Sequence, residues 1–235
     1  MVKYADDAYL LVPASSDATA NDEVTHIVLW ASQNNMKVNT AKCKEIILYA
    51  KGAPPLISPP PLSSAIPRFI ELNILGVTIE ATLSMTSHVT NLITRSHQSL
   101  YALRVIKAHG LQGARLHNVT RALLQSRLSY AISAWVGFAN RENMIKLQKV
   151  IDKADRWGLG GGSTLPSIDE IAAQSDKALF SRVLHNPAHL LHSMLPPEKP
   201  LAARLRKRPH NYQLTLSNTM AKKNFITRML FKHSY

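Results

Sequence analysis

The sequence predicts an α+β protein in which short strands occupy the first third of the chain and helices occupy the rest. Up to about residue 80, apolar residues alternate with polar ones or flank tight turns, as half-buried strands require. From about residue 83 they recur every three or four residues, which is typical of amphipathic helices. Charge changes at the same place: residues 1–80 hold 6 Lys/Arg against 8 Asp/Glu, whereas residues 81–235 hold 22 against 7. We therefore divide the chain into residues 1–80, 81–160 and 161–235.

The chain opens with two short strands, within residues 2–12, that meet at a turn formed by Ala5, Asp6 and Asp7. Adjacent carboxylates repel each other, and a bound cation relieves that repulsion. Oxygen ligands of this kind suit Mg²⁺, which keeps several waters and takes one or two protein carboxylates. Asp6 and Asp7 are therefore candidate metal ligands, and a water-exposed turn is the alternative.

The remainder of residues 1–80 contains one helix and several strand segments. Apolar residues at i, i+3, i+4 and i+7 predict a helix with an apolar core-facing stripe that ends near Asn34 and Asn35: Val24, Ile27, Val28 and Ala31. Residues 36–39 and 44–49 resemble strands, and the proline-rich residues 54–67 form a loop because proline cannot join a ladder or a helix interior. Residues 70–79 predict a second hairpin with a glycine bend at Gly76.

Residues 83–235 are predicted to be mainly helical. Helices are predicted from about residue 89 to Gly110, from Leu116 toward Trp135, and from Met144 to Ala154. Gly158 to Gly162 indicates a helix stop and a flexible break. Ser167 and Glu170 form a capping box for a helix reaching about residue 184, and a last amphipathic helix contains Phe225, Met229 and Leu230.

Two long stretches carry positive charge without any acid. Residues 81–141 contain seven Lys/Arg and no Asp or Glu, and nine more basic residues follow Glu198 without an acid. Solvated helix faces usually mix both signs, so we interpret these stretches as surfaces that follow a phosphate backbone. The candidate nucleic-acid contacts are Arg95, Arg104, Lys107, Arg115, Arg121, Arg127, Arg204, Arg206, Lys207, Arg208, Lys222 and Lys223. A solvated surface is the alternative for the first stretch, and a nuclear-localisation signal is the alternative for residues 204–208.

Other classes of site receive little support from the sequence. Cys43 is the only cysteine, so an internal disulfide is excluded and an intracellular setting is favoured. No apolar run reaches 18 residues, which argues against a membrane span. His185, His189 and His192 invite a zinc interpretation, but Pro187 interrupts the helix that they would need.

In the order and spacing of its motifs, the chain resembles the reverse transcriptase of non-LTR (LINE-type, jockey-like) retrotransposons. Tyr4-Ala5-Asp6-Asp7 is similar to the family's aromatic-x-Asp-Asp box, and Lys37 to Lys42, following Trp30, is similar to the next palm motif. Leu75-Gly76-Val77 resembles the hairpin that grips the primer end, and residues 128–135 resemble the thumb. Residues 205–210 and 224–232 are similar to the segment beyond the thumb.

The resemblance implies that residues 1–80 are the end of a polymerase palm, residues 81–160 a helical thumb, and residues 161–235 a basic helical extension. It further implies that Asp6 and Asp7 bind catalytic Mg²⁺, that Lys42 is the general acid for pyrophosphate, and that Tyr4, Leu75 and Gly76 contact nucleic acid. The expected partners are an RNA template and a DNA primer, and no membrane.

The family's third metal-binding aspartate lies on a strand before the aromatic-x-Asp-Asp hairpin, and this chain begins three residues before Tyr4. We therefore expect a fragment that needs the N-terminal palm and fingers of the parent polymerase and is inactive alone. The alternatives are a non-catalytic nucleic-acid-binding remnant that uses its basic helices, and a protein-interaction scaffold whose charge serves solubility.

Overall fold

The computed structural model describes residues 1–13, 20–49, 66–199, 210–214 and 220–232, and the mixed α and β composition is confirmed. The chain separates into two compact units, unit 1 from residues 1–72 and 80–82 and unit 2 from residues 73–79 and 83–235. Most of the predicted proline-rich loop and the basic residues 204–208 lie outside the described residues. No helix in the described ranges is both long enough and apolar enough to cross a bilayer.

Unit 1 contains two short strand pairs. Strands β1 (Val2–Tyr4) and β2 (Asp7–Tyr9) pair antiparallel. Strands β3 (Glu45–Ile46) and β4 (Arg68–Phe69) pair parallel. The Arg68 guanidinium stabilises this second pair of strands, because its Nε and Nη2 donate to the Glu45 carboxylate at 2.8 and 3.1 Å. The predicted strand over residues 44–49 is thus confirmed for two residues only.

Helix α1 (Ala20–Gln33) ends close to the predicted position. Asn35 adopts a left-handed backbone with φ of 56°, and the Met36 N–H donates to the Ala31 carbonyl at 2.8 Å. This hydrogen bond closes the C-terminal end of α1 at Met36. Residues 36–39 form no strand, so the strand predicted there is wrong. The predicted apolar stripe is confirmed in part, because Ala31 is buried and Val24 and Ile27 are half-buried, whereas Val28 is exposed.

A third strand pair is a tight hairpin. Strand β5 (Glu71–Ile74) and strand β6 (Val77–Glu80) are joined by Leu75 and Gly76, with φ of 48° and 85°. Two positive φ values in a two-residue loop match the right-handed twist of paired strands. The Asn73 side chain steadies the turn by accepting from the Gly76 N–H at 3.0 Å. The predicted hairpin with a glycine bend is therefore present.

The described helices of unit 2 enclose one main core. They are α2 (Thr86–Ala108), α3 (Gly113–Thr120), α4 (Ser126–Ser129), α5 (Ile132–Trp135), α6 (Arg141–Arg156), α7 (Ile168–His185) and α8 (Phe225–Lys232), and a π-helical segment (Arg121–Gln125) joins α3 to α4. Leu103, Leu116, Trp135, Leu147 and Ile168 are buried together in this core. Helix α7 begins at the predicted capping box. Helix α8 joins Phe180 in a second, smaller cluster.

The helix predicted from Leu116 toward Trp135 is interrupted at Ala131. This residue has φ of 50°, in the left-handed region that alanine adopts at a cost of about 1 to 2 kcal/mol. The break frees the Tyr130 carbonyl, which accepts from the Trp135 indole N–H at 3.1 Å. A buried indole donor thereby gains a partner, which offsets part of the backbone strain.

The glycine cluster ends α6, as predicted, and the loop that begins at Trp157 is hydrogen-bonded to neighbouring helices. Its carbonyls accept hydrogen bonds from three side chains: Lys107 Nζ to Trp157 O at 2.6 Å, Thr120 Oγ1 to Leu159 O at 2.7 Å, and His117 Nδ1 with Gly160 O at 3.0 Å. A Cβ on Gly161 would overlap the Gly113 carbonyl. These contacts hold the loop against α2 and α3.

Candidate nucleic-acid interface

The predicted metal ligands lie at the tip of the first hairpin. Tyr4 pairs with Asp7 across the turn, and Ala5 has a left-handed φ of 51°. Tyr4, Asp6 and Asp7 are all exposed, and Asp7 accepts a hydrogen bond from the Tyr9 hydroxyl at 3.3 Å. The pKa of Tyr9 is raised by partial burial and then by the negative charge of Asp7. The turn therefore presents two carboxylates to solvent.

These carboxylates are hard oxygen ligands of the kind Mg²⁺ takes alongside water, so Asp6 and Asp7 fit a hydrated magnesium ion in their chemistry. Across the described ranges, the structure contains no group of three His, Cys, Asp or Glu side chains placed to hold a metal. Lys42 is exposed at the end of a 3-10 turn (Thr40–Lys42). Among the described residues, no ion pair joins Lys42 to either aspartate.

In unit 2, the second hairpin turn packs on Tyr130. The Tyr130 hydroxyl donates to the Leu75 carbonyl at 2.9 Å, and a Cβ on Gly76 would lie 3.1 Å from the tyrosine ring. Glycine thus provides both the positive φ and the room that the ring requires. Tyr130 remains 57% exposed. The structure therefore brings the predicted contacts Leu75 and Gly76 together with an accessible aromatic ring.

Arg127 joins α4 to α2 rather than facing solvent freely. Its Nη1 donates to the Arg95 carbonyl and to the Ser99 hydroxyl, the latter at 2.5 Å, and the residue is half-buried. Arg127 therefore links α4 to α2, the helix that contains Arg95, Arg104 and Lys107.

The other predicted basic residues divide by exposure. Arg95, Arg104, Arg115 and Arg121 are exposed, and Lys107 is half-buried. Lys222 and Lys223 are exposed on a 3-10 turn (Ala221–Lys223). Arg204, Arg206, Lys207 and Arg208 lie outside the described residues.

Five acidic side chains of α6 and α7 already have a hydrogen-bond or ion-pair partner. Glu142 pairs with Lys146 at 2.6 Å, Asp152 accepts from Gln148 at 2.8 Å, Asp155 accepts from the Leu165 N–H at 3.1 Å, Glu170 accepts from Ser167, and Asp176 pairs with Arg228 at 2.6 Å. The pKa of Glu170 is lowered by the Ser167 hydrogen bonds, and that of Glu142 by Lys146. Within the part of unit 2 that the structure describes, no ion pair joins a carboxylate to a cation of residues 81–141.

Sequence reasoning missed a cluster of cations around Trp157, at the end of α6. The Arg104 guanidinium carbon lies 5.1 Å and the Lys153 Nζ 4.9 Å from the centroid of the indole ring, and Lys107 donates to the Trp157 carbonyl. Such distances permit cation–π attraction. Lys153 and Trp157 are four residues apart at the end of the predicted helix, which was the available signal, but Arg104 is distant in sequence.

Comparison of the chain with protein-family models, curated proteins and solved structures gave no match.

Proposed function

We propose that unit 2 binds nucleic acid through the basic surface of residues 81–141, as the thumb part of an RNA-directed DNA polymerase of the non-LTR retrotransposon type. In this proposal Leu75, Gly76 and Tyr130 lie near the primer end. RNA template and DNA primer are the partners. Asp6 and Asp7 would hold Mg²⁺, which supplies charge stabilisation for phosphoryl transfer, and Lys42 would supply a proton to pyrophosphate.

The uncompensated charge of residues 81–141 carries the proposal. These residues contain seven Lys/Arg and no acid, and the acids of α6 and α7 form no ion pair with them in the described structure. Exposed cations without carboxylate partners repel each other, and a polyanion relieves that repulsion by replacing small counterions. The motif order described above supports nucleic acid as that polyanion.

Binding is tested by fluorescence anisotropy with a labelled RNA–DNA hybrid and with single-stranded DNA over a salt series. Log affinity is expected to fall linearly with log salt, by about 0.7 to 0.9 for each phosphate contact. Arg115→Gln and Arg121→Gln should each reduce that slope by about one contact and weaken all sequences equally. Lys146→Gln is the matched control, because Lys146 is already paired with Glu142.

Affinity that is independent of salt would contradict the proposal and favour the protein-interaction scaffold. Primer extension on an RNA template with Mg²⁺ shows whether this chain synthesises DNA by itself, and we expect no product because the fragment should be inactive alone. Product that both Asp6→Asn and Asp7→Asn abolish supports synthesis by this chain. Salt-dependent binding without product agrees with a chain that binds nucleic acid through its exposed basic residues and does not synthesise DNA alone.

A further inference from the structure

The cation cluster at Trp157 differs from the rest of the basic surface because its side chains converge. Arg104 comes from α2 and Lys153 from α6, yet their charged groups lie within about 10 Å of each other, since each is about 5 Å from the same ring centroid. Trp157 itself packs against the main core. The indole therefore gathers two like charges within about 10 Å of each other, and an anion bound between them would offset their mutual repulsion.

Lys107 adds a third positive charge to the same place. Its ammonium group donates to the Trp157 carbonyl at 2.6 Å and would lie 2.7 Å from a Cβ on Gly158. Gly158 has φ of 63°, and its lack of a side chain makes room for the lysine. An ammonium group has three N–H donors, so two remain for a ligand. The backbone of the glycine loop thus positions this charge.

The surroundings of the cluster are electrically positive. Among the described residues, Arg104, Lys107 and Lys153 form no ion pair with a carboxylate. The pKa of His97 is lowered, first by burial and then by the charge of Lys153, which favours its neutral form. A planar guanidinium beside two ammonium groups matches the several oxygens of a phosphate.

We propose that Arg104, Lys107 and Lys153, gathered at Trp157, form a phosphate-binding site that anchors one backbone phosphate of a bound nucleic acid. This inference rests on the proposed function and names the position at which its strongest phosphate contact is made. The Trp157 carbonyl, at the start of the glycine loop, positions Lys107, and the indole ring positions Arg104 and Lys153.

The test uses the full chain and four variants: Arg104→Gln, Lys153→Gln, their double variant, and Lys149→Gln as control. Lys149 is exposed on the same helix one turn before Lys153 and loses the same charge. Each cluster variant should raise Kd equally for all sequences, and the double variant should reduce the salt slope by about one contact, because the site holds one phosphate. Lys149→Gln should leave slope and Kd close to those of the wild type. Equal effects of Lys149→Gln and the cluster variants would overturn the site.

A second measurement reports on the site directly. Trp157 emission is followed in a Trp30→Phe background, with Trp157→Phe as the blank. Titration with oligonucleotide should change the emission in the parent and leave the Arg104→Gln/Lys153→Gln variant unchanged. A response to inorganic pyrophosphate but not to oligonucleotide would assign the site to free phosphate and overturn the backbone anchor. Absence of salt-dependent binding by the wild type would instead reject the proposed function, whereas wild-type binding that the double variant retains would reject only the site.

Discussion

At the scale of single residues, His88 connects the second hairpin to α2. It is buried, its Nδ1 accepts from the Thr78 N–H at 3.3 Å, and its ring meets Trp135 edge-on with centroids 5.2 Å apart. Because Nδ1 accepts a hydrogen bond, this nitrogen is unprotonated in the folded state. Burial, and then the charge of Arg95, lower the pKa of His88. The histidine is therefore neutral in the fold at pH values where an unfolded chain begins to protonate it.

The sign of the resulting pH dependence follows from proton uptake. Below its ordinary value near 6.5, the unfolded chain binds a proton at His88 that the folded chain excludes, so acid destabilises the fold. We expect the contribution of His88 to the free energy of unfolding to be complete above pH 6.5 and to fall as the pH decreases below it. Urea unfolding at several pH values, followed by far-ultraviolet circular dichroism, measures this dependence.

His88→Gln is the informative variant, because its amide oxygen can accept from Thr78 without titrating. It should remove part of the acid destabilisation, whereas His109→Gln, at an exposed site, serves as the control. An unchanged pH slope in His88→Gln would show that other groups cause the dependence.

At the scale of elements, α8 is held to the main helices by a buried ion pair. The Arg228 guanidinium donates to Asp176 at 2.6 and 3.3 Å and to the Ser133 carbonyl at 3.1 Å, and Asp176 is 2% exposed. Removing one partner of a buried pair leaves an uncompensated charge. The pair therefore links α8 to α7 and to α5.

Arg228→Met is expected to destabilise unit 2 by about 3 kcal/mol, because the Asp176 carboxylate stays buried without its partner. Adding Asp176→Asn should recover part of that loss. Lys232→Met, on the same helix but exposed, is the control. Chemical denaturation of the three variants measures the differences, and equal stability of Arg228→Met and Lys232→Met would contradict the structural role.

Elements were predictable where local signals and packing agreed. The capping box at Ser167 and Glu170 and the turn at Gly76 depend on residues that bond to near neighbours, so the sequence identified them correctly. The break at Ala131 was not predictable, since alanine favours helix and the compensating bond comes from Trp135. The Trp157 cluster likewise depends on the packing of α2 against α6, which periodicity alone does not specify.

At the scale of the whole molecule, the described part of unit 1 exposes several large apolar side chains. Consecutive residues of α1 are exposed, Val28 by 41%, Leu29 by 53% and Trp30 by 48%, and Ile70 is exposed by 81%. The Lys3 ammonium covers the Trp30 ring at 4.4 Å. Apolar surface of this kind favours association between molecules.

We expect the purified chain to self-associate at micromolar concentration, and we expect Leu29→Lys combined with Ile70→Lys to reduce that association. Sedimentation velocity over a concentration series measures it. Leu190→Lys is the control. Leu190 lies in unit 2 and is 89% exposed, so this substitution removes an exposed apolar side chain without changing unit 1. Association that Leu190→Lys relieves as well as the double variant does would mean that unit 1 is not responsible.

The close packing around three glycines of unit 2 also affects how the gene tolerates mutation. A Cβ on Gly137, Gly160 or Gly161 would overlap a backbone carbonyl, that of Lys223, Ser163 or Gly113. Every missense change of a glycine codon introduces a Cβ, so no amino-acid replacement at these positions leaves the backbone in place. A gene kept under selection for a folded product would keep glycine at these positions while many surface residues changed. A copy carried without selection would lose them as fast as any other codon.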